Sequence, residues 1–164
     1  MSQQKLFSTP QTEMTSDDYY TPKWLFDVLD ITFDVDVCAP PGGPLHTPCK
    51  KFYTQEIDGL SQQWKGNVFM NPPFSKNKIW IERFHEHGYG ICLTFMSKSK
   101  AFRLLWNNAD GAVNLPTDWR FITSNGLRND IFMPCMLFAY GKKNAEALQK
   151  VGKVRVLQPK KNTK

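Results

Sequence analysis

The sequence predicts an α/β layered sheet. Short apolar runs recur along the chain, they alternate with stretches of helical periodicity, and Pro- and Gly-rich turns separate the two. That alternation packs helices against a sheet. A length of 164 residues suits one domain whose core needs no disulfide staples.

The elements follow in order. Residues 1–18 are polar and read as a flexible N-terminal arm. Residues 22–30, PKWLFDVLD, have an amphipathic helical pattern, with Thr21 as a cap and Pro22 in the first turn. Phe33 to Cys38 alternate with period two, as a strand does, and run into a loop at Ala39-Pro40-Pro41-Gly42-Gly43-Pro44. Lys51 to Thr54 form a second short strand and residues 67–70 a third. Residues 77–87 read as a helix carrying Ile79, Trp80, Ile81 and Phe84. Gly90 to Met96 is a strongly apolar strand, and residues 99–108 are helical in pattern. Ala112 to Leu115 and Met136 to Tyr140 are late strands, the second ended by Gly141. Between them lies one long polar segment, residues 117–130. A helix near 144–150 and a strand over Val154 to Leu157 complete a single domain over residues 19–158, followed by a basic tail at 159–164.

Composition excludes several classes. No run of eighteen apolar residues is present, so no membrane span is expected. The polar N-terminus has no apolar signal core, and a cytoplasmic location is expected. Cys38, Cys49, Cys92 and Cys135 are scattered without a C-x-x-C pair, and His46, His85 and His87 add no ligand spacing, so no metal is expected. Charge is uneven. Residues 1–64 hold four Lys/Arg and nine Asp/Glu, a net of −5, while residues 65–164 hold seventeen and six, a net of +11. A basic half of this kind suits a polyanionic partner, nucleic acid first.

The chemistry concentrates in Asn71-Pro72-Pro73-Phe74, which follows the apolar run Val68-Phe69-Met70. The tetrapeptide therefore stands at a strand's carboxyl end, where open α/β sheets bind ligands. These residue types suit methylation of an exocyclic amino group on a planar base. Such a nitrogen is a poor nucleophile because its lone pair is delocalised into the ring. The Asn71 side-chain oxygen and a backbone carbonyl can each accept one of its N–H bonds, which aims the lone pair at a methyl donor. Pro72 and Pro73 stiffen the turn, and the Phe74 ring holds the base by stacking. This is catalysis by positioning and preorganised dipoles. No Lys or His base is needed, because the amino proton leaves after the methyl has transferred.

Further motifs precede the turn: Asp18-Tyr19-Tyr20-Thr21-Pro22, then Phe33 to Ala39, Phe52-Tyr53-Thr54, Asp58-Gly59-Leu60 and Trp64. In this order the chain resembles the phage-type DNA N6-adenine methyltransferases, the Dam-like family, from about Asp18 to Gly141. The resemblance implies a Rossmann-like class I methyltransferase sheet, mostly parallel with an antiparallel late strand and helices on both faces. It implies S-adenosylmethionine as methyl donor, contacted by Tyr20, Thr21 and Pro22. Asp36 then binds the donor's ammonium, and Asp58 lies near its adenine amino group. Cys38 and Ala39 fall in the loop after the first strand, where many methyltransferases carry Gly-x-Gly. Here two prolines intrude and the glycines come late, at Gly42 and Gly43. Phe74 stands where many relatives have Tyr, and Asn71 where some have Asp.

The expected partner is double-stranded DNA, with the target base flipped into the pocket. Lys76, Lys78, Lys98, Lys100 and Arg103 are candidate phosphate contacts that position the enzyme. Arg120, Asn125 and Arg128 of the polar segment are candidates for base edges. With no room for a large recognition domain, a short target or relaxed specificity is expected, as is a monomer or weak dimer. Two other readings stay open: a methyltransferase acting on RNA adenine or protein glutamine, and a non-catalytic nucleic-acid-binding protein on a degenerate methyltransferase scaffold.

Overall fold

Side-chain alternation along two central strands sets the layers. On β4 (Gly90–Phe95) and β8 (Cys135–Tyr140), all residues but Phe95 are buried, so both faces of the sheet are covered. Cys92, Met136, Phe138 and Tyr140 face one layer with α2 (Asn77–His87) and α3 (Lys100–Asn108). Ile91, Leu93, Cys135, Leu137 and Ala139 face the other, with α1 (Lys23–Leu29) and α4 (Lys142–Leu148). The computed structural model describes residues 17–123, 125–126, 128–129 and 133–154.

The remaining strands are β1 (Phe33–Asp36), β2 (Cys49–Phe52), β3 (Val68–Met70), β5 (Gly111–Asn114), β6 (Phe121–Ile122) and β7 (Arg128–Asn129). Six of them form one sheet in the order β2-β1-β3-β4-β8-β5. β2, β1, β3 and β4 are parallel neighbours, and β8 runs antiparallel between β4 and β5. The result is a mostly parallel six-stranded sheet with helices on both faces. Register pairs Asp36 with Phe69 and Met70 with Cys92, which brings the carboxyl ends of β1 and β3 side by side. The outer strand β2 is largely exposed and carries Lys50 and Lys51, a protected edge.

Local chemistry explains the helix ends. Gly88, at φ 72, stops α2 in the left-handed conformation that glycine adopts without strain. Ser99 caps α3 by accepting from the Phe102 amide at 3.1 Å. The α1 end differs from expectation. Pro22 occupies the cap position itself, with no side-chain cap bond, and the Thr21 hydroxyl is engaged elsewhere. β1 ends at Asp36, where its own carboxylate accepts from the Cys38 amide at 3.3 Å and turns the chain.

The polar segment at 117–130 holds the hairpin β6–β7, which was not expected. Ile122 exchanges backbone hydrogen bonds of 2.8 and 2.9 Å with Tyr20, so the hairpin gains a third, distant partner. Val154 lies outside any strand, and residues 155–157 of the expected final strand are outside the described residues, as are residues 1–16 of the arm and the tail at 159–164.

Candidate active site

β2 lies on one side of β1 and the chain then returns to set β3 on the other, so the sheet reverses its direction of growth between β1 and β3. Reversals of this kind leave a crevice at the strands' carboxyl ends. A cleft of about 820 Å³ lies here, lined by Asp36 from the end of β1 and Asn71 from just beyond β3. Its size is typical of small-molecule sites. Tyr20, Thr21, Cys38, Ala39, Asp58, Pro73 and Lys76 also line it.

Asn71 is oriented by residues distant in sequence. Its Nδ2 donates to the Tyr19 carbonyl at 2.9 Å and to Thr21 Oγ1 at 3.1 Å. A main-chain carbonyl only accepts, so the amide nitrogen must face it and Oδ1 must point away. Oδ1 is buried and has no hydrogen-bond partner among the described residues. Leaving such an acceptor unpaired costs about 1–3 kcal/mol unless a ligand brings the donor.

Residues 17–21 act as a strap that also holds the far end of the same turn. The Asp17 carboxylate accepts from the Ser75 amide at 3.0 Å and from its hydroxyl at 2.6 Å. The Tyr19 ring lies 5.6 Å from that of Phe74. Phe74 does not line the cleft. It is half-buried among aromatic rings, 4.9 Å from Phe95 and 5.9 Å from Phe121. Pro72 is buried within the turn.

Asp36 is 3 % exposed. Burial raises its carboxyl group to about 6, against the lowering effect of the Thr47 side chain and the Cys38 amide. Burial and then the Asp36 charge push the Cys38 thiol up, opposed by the Asn71 amide, so Cys38 is an inert thiol in the wall. In the loop after β1, the Gly43 amide donates to the Pro40 carbonyl at 2.9 Å and Gly42 has φ 84. These are marks of a type II turn with Pro41 at its first corner. The late glycines thus shape a turn, while Pro40 and Pro41 line the cleft. Asp58, also lining the cleft, is exposed and in a left-handed conformation at φ 54.

The basic candidates are spread more widely. Lys76 lines the cleft, and Lys78 is exposed on α2, 4.0 Å from Glu82. Lys98, Lys100 and Arg103 are exposed beyond β4 and on α3. Arg120 donates to the carbonyl of Trp119 at 2.8 Å, and with Pro22 it lines a separate hollow of about 510 Å³. Arg128 lies in β7, and its side chain is outside the described residues.

Sequence reasoning missed His46, Thr47, Thr54 and Trp80, all of which line the cleft. Trp80 carried one overlooked signal: an indole N–H on a helix that directly follows the Pro-Pro turn. Thr54 ended the Phe52-Tyr53-Thr54 motif without being assigned a role, while Thr47 and His46 carried no signal, since only folding brings their loop to the strand ends.

The chain matches the model of the family described as DNA N-6-adenine-methyltransferase (Dam) over residues 8–107, more than half its length. No curated protein and no solved structure gives a significant match. The matched span contains the strap, Asp36, Asp58 and the Asn71 turn. The chain belongs to the Dam family of DNA N-6-adenine-methyltransferases.

Proposed function

We propose that this protein transfers a methyl group from S-adenosylmethionine to the N6 amino group of an adenine flipped out of duplex DNA, on a Rossmann-like methyltransferase scaffold. The carrying observation is Asn71 Oδ1, a buried acceptor without a partner, held in orientation by Tyr19 and Thr21 beside the cleft.

S-adenosylmethionine, when bound, supplies an electrophilic methyl group on sulfur. The donor set fits it. Asp36 is a buried carboxylate whose ionised form lacks a cationic partner among the groups that act on it, and an ammonium would restore what burial removes. Asp58 is an exposed acceptor in the same cleft. The space of about 820 Å³ accommodates a nucleoside with its amino-acid arm. Asn71 Oδ1 accepts one N–H of the target amino group and a backbone carbonyl of the Pro72-Pro73 turn the other, which turns the lone pair toward the methyl group. The Phe74 ring, packed on Phe95 and Phe121 outside the cleft, braces the Pro72-Pro73 turn instead of offering a free face to the base. Lys76, Lys78, Lys98, Lys100 and Arg103 serve as phosphate contacts, and Arg120 and Arg128 are the candidates for base-edge contacts.

The test is tritium transfer from labelled S-adenosylmethionine to unmethylated duplex DNA, followed by nucleoside analysis. The expected product is N6-methyladenine. Label confined to cytosine, or the absence of transfer by protein that binds the cofactor and DNA, overturns the proposal.

A further inference from the structure

Two buried side-chain polar atoms among the described residues lack a partner, Asn71 Oδ1 and Trp80 Nε1, and both residues line the same cleft. The first is an acceptor with a use above. The second is a donor with none. Trp80 is 6 % exposed on α2, and its ring stacks on that of Trp64 with centroids 6.2 Å apart and planes at 20°. Both indoles meet the loop at Gly59. Trp64 Nε1 donates to the Gly59 carbonyl at 2.7 Å. The Trp80 ring lies against the same residue, where an added Cβ would stand 3.1 Å from Cη2. Of two stacked indoles on one loop, the protein satisfies Trp64 and leaves Trp80 over. An indole N–H only donates, and burying it without an acceptor is unfavourable.

Resting on the methyl-donor reading above, in which Asp58, one residue before Gly59, lies by the cofactor's adenine amino group, we infer that Trp80 Nε1 donates a hydrogen bond to the adenine ring nitrogen beside that amino group. Adenine presents this combination on either edge of its amino group: a ring nitrogen that accepts, beside an N–H that donates. Hypoxanthine reverses both polarities on the edge carrying N1. A donor and an acceptor set on adjoining elements therefore select adenine, and Trp80 is a specificity-determining residue for the cofactor.

The experiment measures calorimetric dissociation constants for S-adenosylmethionine and its 1-deaza, 3-deaza and 7-deaza analogues, on the wild-type protein and on Trp80→Phe. The 3-deaza analogue is expected to bind the wild type like the parent, and a loss confined to it overturns the inference. Either the 1-deaza or the 7-deaza analogue is expected to bind the wild type about tenfold more weakly than the parent, as befits one lost hydrogen bond. Trp80→Phe should bind the parent about tenfold more weakly and no longer distinguish that analogue. If Trp80→Phe does not fold, replacement of Trp80 by 3-benzothienylalanine, the isostere with sulfur in place of the N–H, takes its place. Wild-type protein that binds all four compounds equally overturns the role of Trp80 and leaves the methyl-donor reading standing. Wild-type protein that binds none of them overturns both.

Discussion

The side chain of Asn71 donates to the main-chain carbonyl of Tyr19 at 2.9 Å, across 52 positions of sequence. That bond makes the amide one-sided: nitrogen toward the strap, oxygen free for substrate. Asn71→Ala is expected to lower methyl transfer at least about 100-fold, the usual effect of deleting one preorganised polar group. Cofactor affinity should stay within about twofold, because a truncation in the turn removes no cofactor contact. Asn71→Asp should be no better, although a carboxylate is the stronger acceptor, since one of its oxygens would then face the Tyr19 carbonyl. Single-turnover assays with calorimetry on both variants check this.

Asp17 holds the other end of the turn through Ser75. Asp17→Ala should lower kcat by roughly tenfold through loss of positioning. Asp17 is exposed, so the melting temperature should barely change. Ser75→Ala should reproduce part of the loss, because the backbone amide still reaches Asp17. Steady-state kinetics that leave kcat untouched in both variants would exclude a positioning role for the strap.

Asp36 links pH to stability and to ligand binding. Its carboxyl group rises from 3.8 to about 6 on folding, through burial. The folded protein then holds the proton more tightly than the unfolded chain, so this group's contribution favours folding at low pH and is lost as pH rises from about 4 to about 6. The full effect is about 3 kcal/mol. Binding of an ammonium group needs the ionised form, so cofactor affinity should fall by up to about tenfold per pH unit below about 6. Asp36→Asn should raise stability near neutral pH while weakening cofactor binding and flattening its pH dependence. Denaturant titrations and calorimetry across this range are the measurements.

Gly59 has no room for a side chain. A Cβ there would lie 2.0 Å from the Val37 carbonyl and 3.1 Å from Trp80. Gly59→Ala should lower stability by about 1–3 kcal/mol and pull the Asp58 loop off the end of β1. Thermal denaturation reads the first effect, and weaker S-adenosylmethionine binding the second.

The exposed cations Lys98, Lys100 and Arg103 offer a test of DNA contact. Replacing all three with Ala should weaken duplex binding for every sequence alike. The slope of log affinity against log salt should fall by about one for each true phosphate contact. An unchanged slope in a fluorescence titration would remove these residues from the interface.

The sequence by itself determined the elements whose signals are local. β4 and β8 are continuous apolar runs, α2 ends at a glycine that adopts positive φ, and Asn71-Pro72-Pro73-Phe74 is bound to follow the strand before it. Asn71 was legible at a strand's carboxyl end because proline marks where the strand stops, whereas the alternation over Phe33 to Cys38 ran past Asp36, whose place at the end of β1 came from the family resemblance. Only the tertiary structure decided what those residues touch. It set β3 beside β1, closed a cleft between them, and turned Thr21 from a helix cap into a partner for Asn71. It paired the polar segment at 121–122 with Tyr20, and it left the Trp80 indole over while satisfying that of Trp64. The reason is physical. Periodicity and turn chemistry act over a few residues and are written in order along the chain. A hydrogen bond spanning 50 residues depends on strand order and register, which no local stretch encodes.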